Sequence, residues 1–130
     1  MPNGSYMGLA PALFRDIEAK TAAYKILPED VGVLFTNRGA SGAVTLTLPD
    51  TSDIETGWYC DVFVVADQTV TVAAATADTM VVFNDAAADS IAFSTSNEKI
   101  GGGARFVWDG TGWLTFVNLG MDSQTPVIAT

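Results

Sequence analysis

An all-β domain is predicted by three observations. From residue 31 onward, β-branched and aromatic runs alternate with turn residues at a spacing of about ten, the rhythm of a sandwich or barrel rather than of βαβ units. Within those runs apolar and polar side chains alternate with the period of two that a half-buried strand requires. The run Trp108-Asp109-Gly110-Thr111-Gly112-Trp113, set between apolar arms, reads as a tight hairpin whose glycines supply positive φ angles. Antiparallel sandwich, jelly roll and small barrel all fit this pattern. Because 130 residues is the size of one ordinary domain, the chain divides into an N-terminal arm over 1–24, a β domain over 25–120 and a C-terminal tail over 121–130.

The arm carries Gly4, Gly8 and Pro11 and then a mildly helical run over 12–20, in which Leu13, Phe14 and Ile17 share a face. A helix of that length is marginal alone, so the segment is expected either to dock on the domain or to be ordered by a neighbour. Residues 31–36 form the first predicted strand and 37–42 its turn. In 43–48, Val44, Leu46 and Leu48 face one way and Thr45 and Thr47 the other, until Pro49 ends the run. Residues 58–66 place Trp58, Cys60, Val62 and Val64 on one face and Tyr59, Asp61, Phe63 and Val65 on the other. Both faces are largely apolar, which marks a strand covered on two sides. Short strands follow over 69–74, 80–83 and 91–93, with Ala86-Ala87-Ala88 and Gly101-Gly102-Gly103 as small-residue connections, and no period of 20–50 residues stands out.

The net charge of -9 lies in one block: between Arg38 and Lys99 the chain has nine acids and no Lys or Arg, while the flanks cancel. Acids in a block of alternating strands are expected at its turns. Charged residues make up only 16% of the chain, below the roughly 25% usual for soluble domains, which suits a subunit buried in an assembly. The acidic balance, with few and scattered cations, disfavours nucleic acid and anionic membranes. No apolar run approaches the ~18 residues of a membrane span, and the first ten residues lack the plan of an ordinary signal peptide. A single cysteine, Cys60, allows no internal disulfide, so a reducing site of synthesis is the default.

The chain has no histidine, which removes every imidazole base and ligand. Cys60, beside Asp61 and among apolar neighbours, reads as an inert core thiol. Asp50, Asp53, Asp85 and Asp89 lie in predicted turns, where solvated caps outnumber acid–base pairs, so no catalytic residue and no enzyme are expected. Asp78, Asn84, Asp85 and Asp89 could converge on a cation, but no calcium-loop motif accompanies them, and neither metal nor cofactor is expected. Trp58, Trp108 and Trp113 are candidates for a sugar-stacking platform, against the simpler reading of core packing.

The run YKILPEDVG over 24–32 and FTNRGASGAVTLTLP over 35–49, followed by VFVVADQTVTV over 62–72 and the WDGTGW hairpin over 108–113, resembles a β module of tailed-bacteriophage virion proteins. The resemblance covers roughly 24–118 and consists of strand-and-turn patterns, without a catalytic signature. It implies a structural module found on small head proteins and on tail-fibre or spike proteins. With an arm in front and no repetitive shaft, the chain looks most like a head-decoration or cement protein. Such a protein, made in the host cytoplasm, would sit on the capsid surface as a homo-oligomer, a trimer first. It would bind the major capsid protein through arm-side residues Leu9, Leu13, Phe14, Ile17 and Tyr24. The alternative it implies is a tail-fibre or spike domain that binds a receptor or glycan through Trp58, Trp108 and Trp113.

Overall fold

The computed structural model describes residues 14–130. Among them, twelve strands build two sheets that pack face to face, a β-sandwich with open edges rather than a closed barrel. The strands are β1 (Asp16–Ala19), β2 (Tyr24–Lys25), β3 (Val33–Thr36), β4 (Val44–Thr47), β5 (Tyr59–Phe63) and β6 (Val70–Ala73). They continue as β7 (Met80–Val82), β8 (Asp85–Ala88), β9 (Ser90–Phe93), β10 (Gly103–Trp108), β11 (Trp113–Asn118) and β12 (Val127–Ala129). The larger sheet has the order β1-β3-β5-β10-β11-β7-β8 and the smaller the order β12-β9-β6-β4-β2.

The first six strands alternate between the sheets, and each of the first four pairs in parallel with the strand two later. Ile17 stands opposite Leu34, which stands opposite Asp61; in the other sheet Tyr24 stands opposite Leu46, which stands opposite Val72. This first half is therefore a flattened parallel coil of three turns, and the antiparallel arrangement expected from the sequence applies only to the second half. There β10 pairs antiparallel with β5 and β11, and β9 with β6 and β12, although β11 and β7 run parallel. Alternation reports which face of a strand is buried, not the direction of its neighbour. The coil's repeat, 27 positions from Leu34 to Asp61 and 22 from Tyr24 to Leu46, also varies with its connections, which hides it as a sequence period.

Asn37 ties two turns of this coil together. It is 2% exposed; its Oδ1 accepts from the Val65 and Ala66 amides at 2.8 and 2.9 Å, and its Nδ2 donates to the Ala66 carbonyl at 3.1 Å. The backbone groups just past β5 leave the ladder there, and one amide side chain satisfies three of them.

The core lies between the sheets. Val33, Phe35, Cys60, Val62, Phe106 and Trp113 come from the larger sheet and meet Leu46, Val72, Ile91 and Phe93 from the smaller, all 3% exposed or less. The parity read for 43–48 and 58–66 holds: Val44, Leu46 and Leu48 are buried, as are Cys60, Val62 and Val64.

Three expectations are corrected. Residues 16–19, read as part of a short helix, form β1, because pairing with β3 satisfies backbone groups that a helix this short would hold weakly in water. The arm boundary at 24 cuts β2, and the tail over 121–130 contains β12, so the described parts of both belong to the sandwich. Ala86-Ala87-Ala88, read as a connection, lies in β8, which pairs with β7 across a turn where Phe83 and Asn84 take φ of 47° and 64° without any glycine.

Candidate functional site

Strands that expose one face to the core expose the other outward, and register fixes which side chains share that outer face. On the larger sheet one row crosses five strands, Ile17–Leu34–Asp61–Arg105–Phe116. A second row is Tyr59–Val107–Leu114–Val81, and a third is Ala19–Thr36–Phe63–Gly103–Asn118. Large apolar side chains stand in water on this face: Ile17 is 63% exposed, Phe116 60%, Val81 41% and Phe63 40%. A groove of about 380 Å³ runs among them, lined by Phe14, Leu34, Phe63, Arg105, Phe116 and Asn118.

One ion pair interrupts this apolar field. Arg105 lies directly opposite Asp61 and forks onto it, Nε to Oδ1 at 2.8 Å and Nη2 to Oδ2 at 3.1 Å. The hydrogen bonds to Asp61 push the guanidinium pKa further up, and the Arg105 head also lies 4.8 Å from the centre of the Tyr59 ring. Asp61 is the member of the acidic block that does not sit at a turn or strand end. It is 8% exposed and is neutralised by a cation from outside the block. Elsewhere Asp50 pairs with Lys25 at 3.0 Å and Asp67 with Lys99 at 3.7 Å, at the margins of the fold.

The smaller sheet's outer face is different. Thr45, Thr71, Ala92 and Val127 form one row, and Lys25, Thr47, Ala73, Ser90 and Ala129 the next, a surface of mostly short side chains.

The contact residues expected from sequence separate into three groups. Leu9 and Leu13 lie outside the described residues. Phe14 and Ile17 fall on the larger sheet's outer face, Phe14 in the groove wall. Tyr24 packs inward instead: its ring centre is 5.8 Å from that of Phe35, and its hydroxyl donates to Asp30 Oδ2 at 2.7 Å. Burial and the Asp30 carboxylate push the Tyr24 phenol up to about 12.

The three tryptophans form a core cluster, not a platform. Trp113 is fully buried, with its ring centre 5.7 Å from Trp58 and 5.5 Å from Trp108, and neither neighbour is more than 8% exposed. Trp58 Nε1 donates to the Pro28 carbonyl at 2.8 Å. Packed this way, the three indoles serve the core.

Among the described residues no group of three or more His, Cys, Asp or Glu could hold a metal ion. Of the cation candidates, Asp78 accepts from Thr51 Oγ1 at 3.0 Å, and Asp85 accepts from Thr130 Oγ1 and the Ala87 amide, contacts that hold the Asp85 carboxyl below its ordinary range. Burial, reinforced by Asp61 and Asp30, pushes the Cys60 thiol well up.

Sequence reasoning singled out Phe14 and Ile17 but not Leu34, Phe63, Val81 or Phe116 as surface residues. A signal for Phe63 was present in the doubly apolar run over 58–66. The signal for Phe116 was its opposite parity to Trp113. In comparison with known proteins, no family model matches this chain and no curated protein matches it.

Proposed function

We propose that this chain is a non-enzymatic structural subunit of a tailed-bacteriophage virion, a decoration or cement protein that binds the outer surface of the major-capsid lattice and stabilises the head. One observation carries the reading: a broad apolar face whose central charges, Asp61 and Arg105, pair with each other, while the rest of the acidic block lies at turns and strand ends. A free monomer gains nothing by holding Ile17, Phe63 and Phe116 in water, whereas a subunit covers such a face on assembly. The acidic turns keep the unassembled subunit soluble and discourage contact elsewhere.

The sequence resemblance over 24–49, 62–72 and 108–113 supplies the kind of assembly. In this reading the subunit is made in the host cytoplasm, becomes a homo-oligomer and adds buried area across capsomer seams. Binding that favours the assembled shell raises its resistance to internal pressure by mass action. The part proposed to grip the lattice is residues 1–13, with Leu9 and Leu13.

Immunogold electron microscopy of intact virions with antibody to this chain tests the location. Gold spread over the heads supports the reading; gold at the tail tip or none on the particle overturns it. Deleting 1–13, and no further because β1 begins at Asp16, is expected to leave the sandwich folded and to abolish capsid binding. Unchanged saturation of capsids by the truncated chain removes that segment from the contact.

A further inference from the structure

We infer that the outer face of the larger sheet is the contact between two copies of this chain, laid sheet against sheet. The inference does not rest on the virion reading; it follows from charge, shape and area.

Charge narrows the partner. Each copy carries -9, so two copies repel wherever their acidic turns meet within a Debye length of about 8–10 Å. In the three rows of the outer face the only charged side chains are Asp61 and Arg105, and they cancel within the row. At the centre of the face a basic or acidic partner would find no net charge to recognise; the exposed Arg15 guanidinium stands at its edge, bonded to the Val31 and Glu29 carbonyls. A second copy finds a face as neutral and apolar as its own, at the place where self-repulsion is least.

Shape adds a second argument. A two-fold contact needs a surface that complements itself, carrying both the projection and the recess. This face has both: Phe116, 60% exposed, projects at the side of a groove of about 380 Å³ that it lines together with Leu34, Phe63 and the Asp61–Arg105 pair. A phenyl ring from the facing copy is a fitting occupant, and aromatic anchors in desolvated pockets carry most of the affinity of such interfaces.

Area closes the case. Seven strands at about 4.8 Å spacing extend roughly 29 Å, and strands of up to six residues, as in β10, add about 20 Å the other way. Two such faces bury on the order of 1,000 Å² together, the level at which specific association begins. A face that meets its own copy across a two-fold axis engages two subunits, so the surface calls for a dimer where the family resemblance suggested a trimer.

Sedimentation equilibrium of the full chain tests this. The wild type is expected to be a dimer, and Phe63→Asp combined with Phe116→Asp is expected to weaken association at least about 30-fold, with the circular dichroism of the folded chain retained. If that pair perturbs folding, Phe116→Ser alone is expected to show the same direction. Thr47→Asp, on the smaller sheet's outer face, should leave the dimer intact. A wild-type monomer at about 100 µM, a trimer, or a dimer indifferent to the Phe63 and Phe116 changes overturns the inference. A monomer whose Phe116 variant loses capsid binding assigns the face to the lattice instead, overturning the inference while leaving the virion reading standing. Absence of gold on virions would sink that reading without touching the dimer.

Discussion

Arg105 and Asp61 face each other across β10 and β5, and both ends of the guanidinium fork reach the carboxylate, at 2.8 and 3.1 Å. The Asp61 side chain is 11% exposed and that of Arg105 is 39% exposed, so the acid has given up more water than the base. The two single changes should therefore be unequal. Arg105→Met strands a largely buried carboxylate and is expected to cost about 2–3 kcal/mol, below the fully buried range because the pair opens to solvent on the arginine side. Asp61→Leu leaves a cation that can turn outward and should cost less. The double change to Leu at both positions is expected within about 1 kcal/mol of wild type, as buried pairs replaced by apolar residues usually are. Urea unfolding of the four proteins checks this; equal single costs would mean that the asymmetry of burial does not govern the pair.

Asn37→Ala should be among the most damaging single polar changes. It removes an acceptor shared by the Val65 and Ala66 amides and a donor to the Ala66 carbonyl, in a site 2% exposed. Buried backbone amides left without a partner cost about 1–3 kcal/mol each when water cannot reach them. A loss of at least about 2 kcal/mol is expected, together with faster hydrogen exchange at Val65 and Ala66. Normal protection at those amides would show that another group replaces the side chain.

The core was legible because burial imposes parity: Val44, Leu46, Cys60 and Val62 are inward as their alternation required. Strand direction was not, since Leu34 alternates in the same way whether Asp61 lies parallel or antiparallel to it. Asn37 looked like an ordinary turn residue because its partners lie 28 and 29 positions away. Residues 16–19 misled through local pattern, as Ile17 completes a helical spacing with Phe14 yet gains more from the ladder with β3. The candidate surface was half visible: Phe14 and Ile17 were flagged on the arm, but Phe116 joins them only through a register that crosses four strand pairings.

Two glycines should respond in opposite ways to alanine. A Cβ on Gly103 would run into the Val62 carbonyl oxygen and come within 3.2 Å of Phe63 Cα, backbone atoms that cannot step aside without breaking the β5–β10 pairing. Gly42 has nothing within 4 Å of such an atom. Gly103→Ala is expected to destabilise by about 2 kcal/mol or more, and Gly42→Ala to be neutral or to stabilise slightly by narrowing the unfolded ensemble. Thermal melts of the pair suffice; a neutral Gly103→Ala would mean that β10 can shift locally.

Tyr24 gives the fold an alkaline limit. Its phenol ionises near 10.0 when unperturbed and at about 12 in the folded protein, first through burial and then through its hydrogen bond to Asp30. The folded state thus holds this proton where the unfolded chain has released it. The stabilising contribution is complete below pH 10.0 and is lost as pH rises toward about 12. Tyr24→Phe removes that dependence while retaining the ring against Phe35. Urea midpoints at about pH 9 and about pH 11 should fall further for wild type than for Tyr24→Phe; identical falls would mean that Tyr24 ionises alike in both states.

Cys60 supplies a reporter of global opening. It is fully buried, and burial together with Asp61 and Asp30 pushes its thiol well above the ordinary 9.0, so the folded protein presents neither an accessible sulfur nor a thiolate. Sγ belongs to the core, on a strand paired on both sides by β3 and β10, with Phe106 directly opposite Cys60. Freeing it requires separating the sheets, not fraying an edge. Labelling by an aromatic disulfide at about pH 8 should be slow in native buffer, and its rate should rise with urea in step with the unfolding equilibrium. Rapid labelling without denaturant would show a local opening of β5 and would place the weakest part of the sandwich at its centre.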